Sequence, residues 1–287
     1  MDQRIIDLYD EFVHVHFNRR LFLERAAKLV GGMGAAAALL PMLQSNYARA
    51  AIVAESDPRI ATERVTFKGG AGDVKGYLAR TKADGKHGGV VVIHQNRGLN
   101  PHIEDVARRI AAEGYVALAV DFLSGLGGTP ADEDKAMKMF QEFDRSKAAA
   151  DAVAGAAWLR ARPEVNGKTA AIGFCWGGGI VNQLAVADPL LNAGSAYYGE
   201  PPDAASVSRI KATMLLNYAD AKLDTRIGAL VPAYEAALKA AHTKYSLYYY
   251  EGANHAFNDD TQSARYDAAA AKLAWERTMA LFKEALA

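Results

Sequence analysis

From about residue 60 onward the spacing of apolar positions changes at short intervals along the chain. Arg64 to Phe67 and Val74 to Leu78 alternate apolar and polar residues around the turn-forming stretch Gly69-Gly70-Ala71-Gly72-Asp73, which predicts a hairpin. Gly89 to His94, Tyr115 to Val120 and Lys168 to Phe174 are apolar on both faces, the mark of strands buried inside a parallel sheet. Ala193 to Tyr198, Ala212 to Tyr218 and Tyr245 to Tyr250 read as further strands. Between them the period lengthens to that of a helix. Asn100-Pro101 opens one, with Asn as N-cap and Pro in the first turn, and Gly114 stops it. Residues 131 to 161 form helix in two pieces, and helices follow over 176 to 187, 232 to 241 and 266 to 286. Strands alternating with helices in this way specify a mostly parallel sheet covered on both faces, an α/β architecture. No low-complexity linker interrupts residues 60 to 287, so 51–287 is expected to be one catalytic-sized domain preceded by a separate segment, 1–50.

That first segment has a different character. Ile5, Ile6, Leu8, Tyr9, Phe12 and Val13 repeat at helical spacing. Arg19-Arg20 then precedes an uncharged, Ala- and Gly-rich stretch from Leu29 to Leu43 and the triplet Ala48-Arg49-Ala50. A basic pair, a moderately apolar run and an A-x-A triplet form the pattern of a twin-arginine export signal, cleaved after Ala50 and implying a periplasmic or exported protein. The alternative is a retained pair of amphipathic helices on a cytoplasmic protein. The apolar run is shorter than the ~20 residues of a membrane span, so stable membrane insertion is not expected.

Charge and cysteine content narrow the chemistry. Lys plus Arg and Asp plus Glu each total 33, so no net field draws the chain to nucleic acid, and a small-molecule substrate is the expected partner. The single cysteine, Cys175, excludes an internal disulfide and the paired-cysteine zinc and redox motifs. His14 and His16 would diverge on a helix, so they predict no metal site. Gly125-Leu126-Gly127-Gly128 lacks the Lys-Ser/Thr of a phosphate loop. His94, at a strand end, reads as a hydrogen-bonded structural residue.

Cys175 stands in Gly173-Phe174-Cys175-Trp176-Gly177, where a buried strand passes into a helix. This G-x-nucleophile-x-G arrangement forces the central residue into strained backbone space, and side chains at the flanking positions would clash. The turn also brings the N–H of Trp176 and the positive helix end to the sulfur, which favours the thiolate. In this architecture the orienting acid and the histidine follow in that order. Asp220 and Asp224 lie just past the strand ending at Tyr218, and His255 lies past the strand ending at Tyr250. All of these positions fall at the carboxyl edge of the sheet, where ligands bind. The N–H groups of Asn96 and Trp176 are the candidate oxyanion donors, and Tyr198, at another strand end, is a candidate pocket wall.

Residues 61 to 287 resemble the dienelactone hydrolase family of α/β-hydrolases, in its exported-looking bacterial branch, through HQNRGLNPHIEDVARRIAAEGY, GFCWGGG, NYADAKLDTRI, PAYEAALKAA and GANHAFNDDTQSARYDAAAAKLAW. The resemblance implies an α/β-hydrolase fold and hydrolysis of enol-lactones and small esters without a metal or other cofactor. It also implies Cys175 as nucleophile, His255 as base and Asp224, rather than Asp220, as its acid, with an acyl-thioester intermediate. Two features depart from the family pattern. Gln95 stands where the family carries a glutamate beside the resting cysteine, and an amide can hydrogen-bond the thiol but cannot act as a carboxylate base. Asp121-Phe122-Leu123-Ser124-Gly125 lacks the arginine that grips a substrate carboxylate, a role for which Arg97 is the available substitute. The rival readings are a non-catalytic envelope-binding protein of the same fold and a thioesterase of larger acyl groups. Oligomeric state leaves no trace in the sequence.

Overall fold

The computed structural model describes residues 1–15, 18–47 and 51–287. Eight strands form one sheet in the order β1-β2-β4-β3-β5-β6-β7-β8. The strands are β1 (Ile60–Lys68), β2 (Asp73–Thr81), β3 (His87–Ile93), β4 (Val116–Asp121), β5 (Val165–Phe174), β6 (Ala193–Tyr197), β7 (Thr213–Ala219) and β8 (Tyr245–Tyr250). The expected hairpin is β1 with β2, in antiparallel register from Ile60 opposite Thr81 to Lys68 opposite Asp73. β2 also runs antiparallel to β4, and every pairing from β4 through β3 to β8 is parallel. The parallel strands are those with apolar residues on both faces, and Val90 to Ile93, Val116 to Val120 and Ala170 to Ile172 are fully buried.

Helices cover the sheet on two sides: α4 (Pro101–Ala112), α5 (Glu133–Glu142), α6 (Ala148–Arg160), α7 (Trp176–Ala187), the short α8 (Thr225–Gly228), α9 (Val231–Ala240) and α10 (Ala268–Ala285). One apolar cluster joins α6, α7 and α9 to one sheet face, and a second joins α4 and α10 to the other. Asn100 caps α4 by accepting from the Ile103 N–H at 3.1 Å, with Pro101 in the first turn. Element bounds differ from the sequence reading by at most three residues, except that β1 begins four residues earlier, at Ile60. β6 stops at Tyr197 because Tyr198 turns to φ 39°. β5 begins at Val165, where a register irregularity between His87 and Gly89 carries the pairing past the turn at Gly167.

The first segment is folded onto the carboxyl edge of the sheet as α1 (Gln3–Val15), α2 (Arg19–Val30) and α3 (Met33–Leu43). Its helical repeat builds a third apolar cluster from Ile5, Leu8, Tyr9, Val13, Phe22, Ala26, Ala36, Leu40 and Leu43. Each large apolar side chain buried there contributes about 1.5–3 kcal/mol of transfer free energy. No single helix among the described residues is long and apolar enough to cross a membrane, and α2 and α3 meet at 112° around Gly31-Gly32. The expected cleavage triplet, residues 48–50, lies outside the described residues.

Candidate active site

Cys175 closes β5 and opens α7 with φ 57° and ψ −119°, a conformation sterically costly for a residue with a Cβ. Its neighbours explain how the chain tolerates the turn. A Cβ on Gly173 would stand 2.3 Å from the Gly177 carbonyl oxygen, and one on Gly177 would stand 2.4 Å from the Ile93 oxygen. These two glycines therefore let β5, α7 and β3 approach closely enough to hold the sulfur at the sheet edge. The Cys175 N–H donates to Tyr197 O at 3.0 Å, and Tyr198 N–H donates to Asn217 O at 2.7 Å. Trp176 stacks on His94 with ring centroids 5.6 Å apart. His94 is buried, with Nδ1 2.5 Å from Gln95 O and Nε2 accepting from the Phe122 N–H.

The two loops beyond β7 and β8 bring the acid and the histidine together. His255 Nδ1 is 2.7 Å from Asp224 Oδ2, and both side chains are buried. Asp224 also caps α8, accepting from the Ile227 N–H at 3.3 Å. Asp220 takes a different part. It accepts from the N–H groups of Lys222 and Gly252 and so ties the two loops to each other. The loop carrying His255 is anchored through buried Asp259, which Gln95, Thr261 and Gln262 hydrogen-bond. His102 stands 3.1 Å from Asp260 beside it.

A cavity of about 220 Å³ opens on the sulfur. Asn96, Cys175, Trp176 and Tyr198 all line it, together with the cationic Arg145 and Arg226. The Tyr198 ring lies 4.9 Å from that of His255. The two remaining sequence candidates point elsewhere. Gln95 donates to Asp259 at 3.3 Å, and Arg97 is buried between Glu133 and the Tyr9 hydroxyl. Neither contributes to the cavity lining, because Gln95 is drawn to the buried Asp259 and Arg97 to the half-buried Glu133.

One contact had no counterpart in the sequence reading. His14, on the last turn of α1, places Nε2 3.2 Å from the Cys175 sulfur. Its Nδ1 donates to Asp10 O at 2.8 Å and lies 3.4 Å from the Asp10 carboxylate. Ring nitrogens of His14 and His255 and the Cys175 sulfur all lie within 4.8 Å of one another, a spacing that could also hold a metal ion, as could that of His102, Asp259 and Asp260. The only sequence signal for His14 is its i,i+4 relation to Asp10, which says nothing about where α1 docks.

The electrostatics follow from these contacts. Burial works against charge at every group, yet Asp224, the Cys175 sulfur and Asp10 raise His255 to about 10. Against the same burial, His14 and His255 hold the Cys175 thiol well below its ordinary range. His14 is raised, burial being outweighed by Cys175 and Asp10, while Asp224 is lowered chiefly by His255. The site therefore favours a thiolate facing imidazolium.

Comparison with known proteins bears on the family and the fold. A model of the dienelactone hydrolase family matches residues 74–286. The chain belongs to the dienelactone hydrolase family. It is thus an enzyme of the hydrolase class with the α/β-hydrolase fold, as the sequence resemblance implied. A relative from Synechocystis sp. named "Putative carboxymethylenebutenolidase" is 33% identical over 247 residues, covering 79% of this chain and 98% of its own. Another, "Putative hydrolase fragment YghX" of Escherichia coli (strain K12), is 50% identical over 112 residues, 38% of this chain and 96% of its own. Among solved structures, a dienelactone hydrolase-like promiscuous phosphotriesterase from metagenomic libraries superposes with a TM-score of 0.69 at 28% identity, over 80% of this chain and all of its own. A second family model, described as YqhI-like, matches residues 1–28, so the helix that carries His14 lies ahead of the part matched as dienelactone hydrolase.

Proposed function

We propose that the chain hydrolyses lactones or small carboxylic esters by a Cys175-His255-Asp224 triad, through an acyl-thioester. The observation that carries this reading is the 2.7 Å Asp224–His255 contact beside a cysteine held at positive φ on a strand-to-helix turn. Asp224 fixes the tautomer with the proton on Nδ1, which leaves Nε2 to serve the reacting atoms. The thiolate attacks the acyl carbon, and the N–H groups of Asn96 and Trp176 receive the developing oxyanion. As the carbon–oxygen bond breaks, His255 gives its Nε2 proton to the leaving oxygen. Neutral His255 then takes a proton from water, the remaining hydroxide attacks the thioester, and the sulfur departs as thiolate. Thiolate and imidazolium are both restored.

The cavity of about 220 Å³ suits a small acyl group better than the long chain of a large thioester. Arg145 and Arg226, set against the single carboxylate of Glu200 on its wall, favour a substrate that bears a carboxylate. Cys175→Ala should abolish turnover of p-nitrophenyl acetate and of a carboxylate-bearing lactone while the circular dichroism spectrum stays that of the parent. Full activity in that folded variant would overturn the triad.

A further inference from the structure

We propose that His14 is a catalytic residue of this site, a second imidazole supplied by the N-terminal helix that holds the Cys175 sulfur ready for attack. The inference rests on the triad reading of Cys175 and adds to it a group that lies outside residues 74–286. Three observations carry it. The His14 Nε2–Sγ distance of 3.2 Å is a direct contact with the reacting atom. A carbonyl oxygen can only accept, so the 2.8 Å contact with Asp10 O places a proton on His14 Nδ1 and leaves Nε2 for the sulfur. Finally, among the described residues His255 Nε2 makes no geometric hydrogen bond, whereas His14 Nε2 reaches the sulfur.

A thiol offers a single proton. With His14 Nδ1 already protonated, Nε2 either accepts that proton or donates to the thiolate that remains. In both cases the sulfur ionises against His14, and the His255 proton stays available for the leaving group. His14 keeps its proton through acylation and faces the sulfur again when the thioester breaks, so no reactant beyond ester and water is needed. Gln95 donates to Asp259 instead, so the hydrogen-bond contact to the sulfur is that of His14.

The contact is built rather than incidental. Asp10 accepts from Arg265 Nη1 at 3.1 Å, and the Arg265 guanidinium lies 5.2 Å over the Tyr9 ring. Asn96 Nδ2 donates to Val13 O at 3.1 Å, and Gln3 Nε2 donates to Asn254 Oδ1 at 2.7 Å in the loop that carries His255. These bonds fix α1 against both loops that flank the sulfur. The charged and titratable groups facing the His14–Cys175 pair are Asp10, His255, Asp224 and Arg265, with Tyr198 packed against His255. Arg145, Glu200 and Arg226 face it across the cavity.

The test uses the full chain, in the presence of a chelator, and reads the sulfur separately from turnover. Iodoacetamide alkylation of Cys175 is followed against pH in the parent and in His14→Gln, which keeps a hydrogen-bonding side chain but cannot carry charge. Removing one cation from the sulfur should lower the alkylation rate about tenfold at mildly acidic pH, with little change at alkaline pH where any thiol is ionised. Ester turnover should fall about 10²-fold or more, and added imidazole should restore part of it in His14→Ala. Asp10→Asn should move the alkylation profile in the same direction by less. An unchanged alkylation profile in a folded His14→Gln would overturn the proposal. Should the variants fold poorly, the His14 ring in the parent chain can be followed by nuclear magnetic resonance. Its titration should move to lower pH once the sulfur is alkylated, and a ring indifferent to alkylation would equally overturn it. A Cys175→Ala protein that keeps full turnover would instead sink the triad, an outcome distinct from either result at His14.

Discussion

The α/β body and the N-terminal roof meet at one sulfur but are held together by different physics. In the body, residues such as Val91, Leu118 and Ile172 are inaccessible to solvent and pack in two continuous clusters on the faces of one sheet. Cys175, Asp224 and His255 reach the same edge because each follows the carboxyl end of a strand of that sheet. The roof has only a small apolar cluster of its own. It reaches the body largely through polar contacts: Tyr9 with Arg97, Asp10 with Arg265, Val13 O with Asn96 and Gln3 with Asn254. A topology that sets the triad is cooperative with the whole domain, whereas a polar-docked roof can open at a fraction of that cost.

Perturbing the body should give the largest effects. Gly177→Ala puts a Cβ into the space of two backbone oxygens, Ile93 O at 2.4 Å and His94 O at 2.5 Å, with no flexible side chain to give way. A loss of about 3 kcal/mol or more in urea unfolding is expected, together with loss of turnover. Next in size, Asp224→Asn should keep the fold but lower turnover about 10³- to 10⁴-fold, since an amide can hold the His255 ring in the wrong tautomer. Asp220→Asn, which disturbs only the tie between the two loops, should cost far less. Equal losses from the two substitutions would show that the acid has been misplaced.

The roof should respond on a smaller scale. Arg265→Met removes the charge partner of Asp10 and the cation over the Tyr9 ring. Hydrogen exchange of the amides of residues 5–14 should quicken by at least about tenfold, the equivalent of 1.4 kcal/mol, while amides of β3 and β5 keep their protection. If strand and roof amides accelerate together, the two regions form one cooperative unit and the contrast drawn above fails.

The same contrast governs what the sequence reveals. Runs apolar on both faces located β3, β4 and β5, and the glycines around Cys175 located the elbow, because both patterns state local requirements of the backbone. Chain order then led to His255 and to the pair Asp220 and Asp224, and the family resemblance preferred Asp224. Gln95 and Arg97 were legible as loop residues at the right edge, but their directions were not, since these depend on Asp259, Tyr9 and Glu133, which arrive from remote parts of the chain. His14 was less legible still. Its helix is marked by the Ile5-to-Val13 repeat, but the pattern of a helix face specifies that it docks without specifying on what. Arg19, one of the basic pair, meets Asp134 on the surface at 2.9 Å, a contact that the helical pattern also does not specify.

The smallest expected effect tests whether the roof's attachment is electrostatic, and its sign follows from the two groups on α1. Asp10 is held below its ordinary range; burial opposes this, and His255, His14 and Arg265 outweigh it. Its contribution is present above the unfolded carboxylate value and is lost only as pH falls through the lower folded value. His14 is shifted the other way, its folded value being raised by Cys175 and Asp10 against burial. Its contribution is complete below about 6.5, the ordinary histidine value, and disappears as pH rises through the folded one. Between mildly acidic and alkaline pH, docking of α1 should therefore weaken on the alkaline side alone. Once corrected for the intrinsic base-catalysed rate, exchange of the α1 amides should be severalfold faster at the alkaline end, on the order of the contribution of a single charged contact. In His14→Gln this dependence should vanish. A roof that loosens toward acid instead would mean that carboxylate protonation, rather than the imidazolium facing the sulfur, governs its attachment.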